Sequence, residues 1–104
     1  MRPLFRFTVK ELAALSGGPL PDSGLVVTRA STLSRPHSNS IIFVKNLDTF
    51  SLELLSSVAD ALILVPHGAP QELVDALSRG NEVVAVPSPR LSFARIMNAI
   101  EMRL

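Results

Sequence analysis

The stretch 61–86 leaves a chain of this size few folds to choose from. Ala61-Leu62-Ile63-Leu64-Val65 is apolar without interruption, the pattern of a strand covered on both faces. Pro70 then stands at a helix-starting position, Leu73, Val74 and Leu77 mark one face, and Gly80 ends the helix. Val83-Val84-Ala85-Val86 is a second strand. Strand, helix and strand in so short a span make a βαβ unit, which requires parallel strands and favours a right-handed crossover.

The remaining elements fit around this unit. Thr8-Val9-Lys10-Glu11 reads as a capping box, with Phe7 and Leu12 placed as a hydrophobic staple and Gly17-Gly18 as a left-handed stop. A helix over about 9–16 follows. Leu25-Val26-Val27-Thr28 comes after a Pro-Asp-Ser-Gly turn and reads as a strand; Arg29 to Asn39, rich in Ser, Thr and Arg, reads as loop. Ile41-Ile42-Phe43-Val44 is a further strand. Phe50, Leu54, Leu55 and Val58 recur at helical spacing, predicting a helix over 49–58. Ser88 caps a last helix with Pro89 at its first position, and Phe93, Ile96, Met97, Ile100 and Leu104 form its apolar stripe opposite Arg95, Asn98 and Glu101. The expected class is α/β: a small mixed sheet with flanking helices, in a single domain over residues 1–104.

The 104 residues are enough for one core without metal or disulfide support. Apolar residues make up 47% but never run to the roughly 20 that span a membrane. The first residues are too broken by charge for a signal-peptide core. The absence of cysteine removes thiol chemistry and fits a cytoplasmic protein. A net charge of +1 gives no reason to expect a nucleic-acid partner.

Little in the sequence points to catalysis. His37 lies in the Ser-rich loop with no acidic neighbour. His67 follows the buried strand, at the end where ligands gather in open α/β sheets. Two isolated histidines and scattered carboxylates give no metal-ligand spacing, and the glycines form no phosphate loop. No serine sits in a nucleophile-elbow pattern. The residues therefore imply no catalytic group, no metal and no cofactor. Binding has better candidates. Phe43 at a strand end can stack on a base, and Asn46, three positions on, can donate and accept towards its polar edge. Thr49 and Phe50 open the next helix, and Arg29 and Arg35 can meet a phosphate. The same residues have a structural alternative, with Phe43 and Phe50 in the core and Asn46 in a turn.

Four segments in order carry a family resemblance: Phe7-Thr8-Val9-Lys10-Glu11-Leu12-Ala13-Ala14-Leu15, Ser40-Ile41-Ile42-Phe43-Val44-Lys45-Asn46, Ala59-Asp60-Ala61-Leu62-Ile63-Leu64-Val65 and Pro89-Arg90-Leu91-Ser92-Phe93-Ala94-Arg95. The series, spanning residues 7–98, resembles the N-terminal domain of UDP-3-O-acylglucosamine N-acyltransferase, an enzyme of bacterial lipid A biosynthesis. That domain is similar in fold to the N-terminal domain of the UDP-muramoyl peptide ligases. The resemblance implies a non-catalytic, uridine-nucleotide-sugar-binding domain. Phe43 and Asn46 match two positions of its Phe-x-x-Asn-x-x-Tyr pattern and would stack on and hydrogen-bond the uracil of a UDP-sugar. Thr49 stands at the third position, with Phe50 next to it. The family's Asn-Pro-Lys-Tyr is Asn46-Leu47-Asp48-Thr49 here, so an acid replaces a base beside an anionic ligand. Lys45 or Arg29 would compensate. Ser38-Asn39 replaces a Pro-Gly turn, and Asn tolerates the left-handed conformation. The family's acyl carrier protein-dependent transfer resides in a trimeric β-helix of hexapeptide repeats, and no such repeat occurs in these residues. The stretch Val86 to Met97 then reads as a connector towards that catalytic domain or another protein partner. The alternative is a stand-alone interaction module that kept the fold and lost the nucleotide. A muramoyl-ligase fragment would carry Asp-Ser-Arg after its first strand, where this chain has Thr28-Arg29-Ala30-Ser31.

Overall fold

The computed structural model describes residues 5–16, 20, 21 and 23–103. The Gly17-Gly18 stop and Leu104 lie outside them. The element order is β1 (Phe7–Thr8), α1 (Val9–Ser16), β2 (Val26–Val27), β3 (Arg29–Ala30), β4 (Ser40–Phe43), α2 (Thr49–Leu54), β5 (Leu62–Pro66), α3 (Gln71–Ser78), β6 (Glu82–Val86) and α4 (Pro89–Glu101).

The βαβ reading holds. β5 and β6 pair in parallel from Leu62↔Glu82 to Pro66↔Val86, with α3 between them in the chain. β4 joins β5 on its other side and β3 joins β4, giving a four-stranded parallel sheet in the order β3-β4-β5-β6. β1 and β2 form an antiparallel pair. The stretch Val26 to Ser31 belongs to both ladders. The Phe5 amide donates to the Thr28 carbonyl on one side, while the Thr28 and Ser31 amides donate to Asn39 and Ile41 on the other. The α/β class is therefore as expected, with parallel and antiparallel pairing both present.

Alternation along the strands makes two cores. Ile41, Leu62, Leu64 and Val86 point to one face, where they meet Val9 and Leu12 of α1 and Ile96 and Ile100 of α4. Ile42, Ile63 and Val65 point to the other, against Leu55 and, from α3, Leu73, Val74 and Leu77. β5 sits at the centre and is buried from Leu62 to Val65. Each such aliphatic side chain contributes about 1.5–3 kcal/mol of burial, which is why the most apolar segment takes this position.

The helix starts follow their local signals. The Thr8 amide donates to Glu11 Oε1 and the Glu11 amide to Thr8 Oγ1, each at 3.0 Å, closing the capping box of α1. Ser88 Oγ accepts from the Leu91 amide and Pro89 opens α4. Asn39 takes φ 57°, the left-handed conformation expected at Ser38-Asn39.

Three expectations need correction. Arg29 and Ala30 are not loop: they form β3, paired with Ser40 and Ile41. Their pairing comes from backbone groups alone, so no apolar pattern announces it. The helix read over 49–58 ends at Leu54. Ser56 Oγ donates to the Glu53 carbonyl at 2.7 Å and competes for the helix's own acceptor. Phe50 is not on a buried face either; it is 66% exposed.

Candidate carboxyl-edge site

The carboxyl ends of the parallel strands bring Phe43 (the last residue of β4), Lys45 and Asn46 (after β4) to the same edge as His67 (after β5) and Ser88 (after β6). In open α/β sheets ligands bind outside this edge. The connection after β5 leads to α3 on one face and that after β6 leads to α4 on the other, so the chain diverges between these two strands. His67 and Ser88 flank the divergence. The His67 side chain is exposed, and its backbone amide donates to the Val86 carbonyl across the gap at 3.2 Å.

The turn after β4 is held by one buried side chain. Ser51 is 2% exposed. Its amide donates to Asp48 Oδ1 at 2.8 Å and its Oγ accepts from the Asp48 amide at 2.9 Å, a reciprocal cap at the start of α2. The Ser51 hydroxyl also lies within hydrogen-bond distance of the Asn46 and Asp48 carbonyls and of Asp48 Oδ1. These contacts explain the acid at position 48. The backbone amide of Ser51, and then its hydroxyl, hold the Asp48 carboxyl below the usual aspartate range.

With the turn fixed, Lys45, Asn46, Thr49 and Phe50 are all exposed. The Asn46 amide group makes no hydrogen bond among the described residues. Phe43 is only half-buried, but its ring already has a neighbour: it packs against Phe93 of α4, with centroids 4.9 Å apart and planes at 50°. Phe50 therefore carries the more open aromatic face. Arg29 does not join this group. It pairs with Ser40, at the opposite end of β4 from Phe43. Arg35 and His37 lie in the exposed connection from β3 to β4, where the His37 amide donates to Ser31 Oγ. No group of three or more His, Cys, Asp or Glu able to hold a metal occurs among the described residues. No helix among them is long and apolar enough to cross a membrane.

A hollow of about 360 Å³ opens at the other end of the sheet, bordered by Ser23, Asp60, Arg79, Asn81 and Glu82. It lies where β5 and β6 begin. Asn81, on its border, is held by three bonds: Oδ1 accepts from the Ala61 amide at 3.0 Å, and Nδ2 donates to the carbonyls of Val58 and Leu77. Asp60 takes φ 56° and its amide donates to Gly80 at 2.7 Å. The Asp60-Ala61 and Gly80-Asn81 junctions were the available signal, because paired parallel strands must begin side by side.

No family model matches the chain, and no curated protein matches it.

Proposed function

We propose that this chain is a non-catalytic binding domain for a uridine nucleotide-sugar, held at the carboxyl edge beyond β4. The exposed Asn46 amide, on a turn locked by the buried Ser51, carries this reading. An exposed amide on a held turn offers a donor and an acceptor side by side, as the polar edge of uracil requires. Phe43 at the strand end and the open ring of Phe50 supply the apolar faces, and Lys45 the cation. Asp48 does not disqualify the turn, because its carboxylate is engaged in capping α2. The resemblance to the N-terminal domain of UDP-3-O-acylglucosamine N-acyltransferase supports the same ligand class. It also supports a cytoplasmic role in lipid A biosynthesis, beside a catalytic domain that these residues do not include.

A titration of UMP and of UDP-N-acetylglucosamine into ¹⁵N-labelled protein tests the proposal. Amide shifts that saturate and cluster between Phe43 and Phe50 are expected, and Asn46→Ala should remove them without disturbing the rest of the spectrum. Unmoved amides at millimolar ligand would sink the reading. They would favour the second one, an interaction module, for which the exposed Phe50, Leu91 and Met102 are the specific observation.

A further inference from the structure

The two edges of the sheet are unequal. At one edge of the four-stranded sheet β3 is only Arg29–Ala30, and the chain just before it is already engaged by the Phe5 amide. At the other, β6 runs five residues, Glu82-Val83-Val84-Ala85-Val86. Natural edges are usually blunted by charge, proline, bulges or a covering element. β6 has one charge, at its first residue, and no proline within it. No described residue pairs with its outer side.

The direction of its free groups follows from the bonds it makes. The Glu82 amide donates to Ala61 and the Val86 carbonyl accepts from His67, so residues 82, 84 and 86 address β5. By alternation Val83 and Ala85 turn their N–H and C=O away from the sheet. Ala85 shares the α3 side of the sheet with Val83 and is exposed, so α3 does not roof the edge there. The next residue in the outward row is Pro87, which has no N–H and ends the ladder.

We propose that β6 pairs antiparallel with β6 of a second copy, about a two-fold axis through Val84. This register is selected by the chain's own groups. It sets Val83 opposite Ala85 of the other copy, twice, and each pair exchanges both N–H···O bonds. It brings the half-buried Val84 of each copy against the other, in the close non-hydrogen-bonded position where side chains interact best. It sets Glu82 opposite Val86, whereas a slip that faces Glu82 with Glu82 pairs like charges. The bonding surface is its own complement, as a two-fold interface must be. Any extended peptide can make the same main-chain bonds, but the Val84–Val84 contact and the offset of the two Glu82 residues come from the chain's own sequence, so the occupant is a second copy.

Sedimentation and light scattering over a concentration series give the first readout, with a mass of about twice 11.2 kDa expected at high concentration. Hydrogen exchange gives the second: the Val83 and Ala85 amides should slow as concentration rises, while those of β5 stay constant. Ala85→Lys places a charge on the edge at an exposed position, and Ala85→Pro removes an outward donor. Either variant, folded by circular dichroism, should return the monomer mass. A wild-type chain that stays monomeric at millimolar concentration overturns the proposal. So does a dimer that persists in the folded Ala85→Lys protein.

Discussion

Asn81 and Asp48 are both polar residues at the start of an element, and they act in different ways. Asn81 ties the approach to β5 to the turn after α2 and to the last turn of α3 through its bonds to Ala61, Val58 and Leu77. Asn81→Ala strands the Ala61 amide and the Val58 carbonyl in a partly buried place, while the Leu77 carbonyl keeps the Gly80 amide, and should destabilise the fold by about 2–3 kcal/mol. A urea midpoint equal to wild type would refute that role. Asp48 acts through its charge. Its native pKa is depressed by Ser51, so its stabilisation is complete above the ordinary aspartate value of about 4 and is lost as pH falls through the lower native value. Urea midpoints measured downward from pH 5 should therefore decline, and Asp48→Asn should flatten that decline. At this scale the sequence was partly legible. The Thr8–Glu11 box and the Ser88 cap follow a spacing rule, and the structure shows both. The Asp48–Ser51 box escaped because Ser at the third helical position is not the Glu or Gln that announces such a box.

Among the elements, α4 has the largest consequence for the candidate site. It lies on the α1 face of the sheet, and its Phe93 meets Phe43 at the carboxyl end of β4. The helix thus sets how much of the Phe43 ring is free. Phe93→Ala should cost about 2–3 kcal/mol, less than a fully buried Phe because the ring is half-exposed. Thermal or urea unfolding measures it, and an unchanged midpoint would show that the aromatic pair does not hold α4 in place. Helices with a start signal and a continuous stripe were legible: α1 and α3 fall within a residue or two of their expected bounds, and α4 starts at Pro89 as expected but ends at Glu101, short of the stripe's last position. α2 was overextended because its apolar spacing continues past Leu54 into a turn, where Leu55 and Val58 are buried without being helical. β3 was invisible, since two residues paired through backbone alone leave no side-chain pattern.

The whole molecule is three layers, with α1 and α4 on one side of the sheet and α2 and α3 on the other. The βαβ pattern implied parallel strands, and uninterrupted apolar runs implied cover on both faces, so the class could be read before the topology. The site was less legible. Spacing placed Phe43, Asn46, Thr49 and Phe50 near one another in sequence. Whether a ring is free or already packed depends on α4, whose residues lie far along the chain. Arg29 shows the same limit from the other side, because only strand register reveals that it lies at the far end of β4.

The two-sided central strand also constrains how such a chain can change over generations. Leu62 and Leu64 enter one core while Ile63 and Val65 enter the other. Inserting or deleting a single residue within β5 would exchange the occupants of both cores beyond that point. Descendants of this sequence can therefore gain or lose length in the exposed connection between Ser31 and Asn39, but β5 is open to them only for substitution.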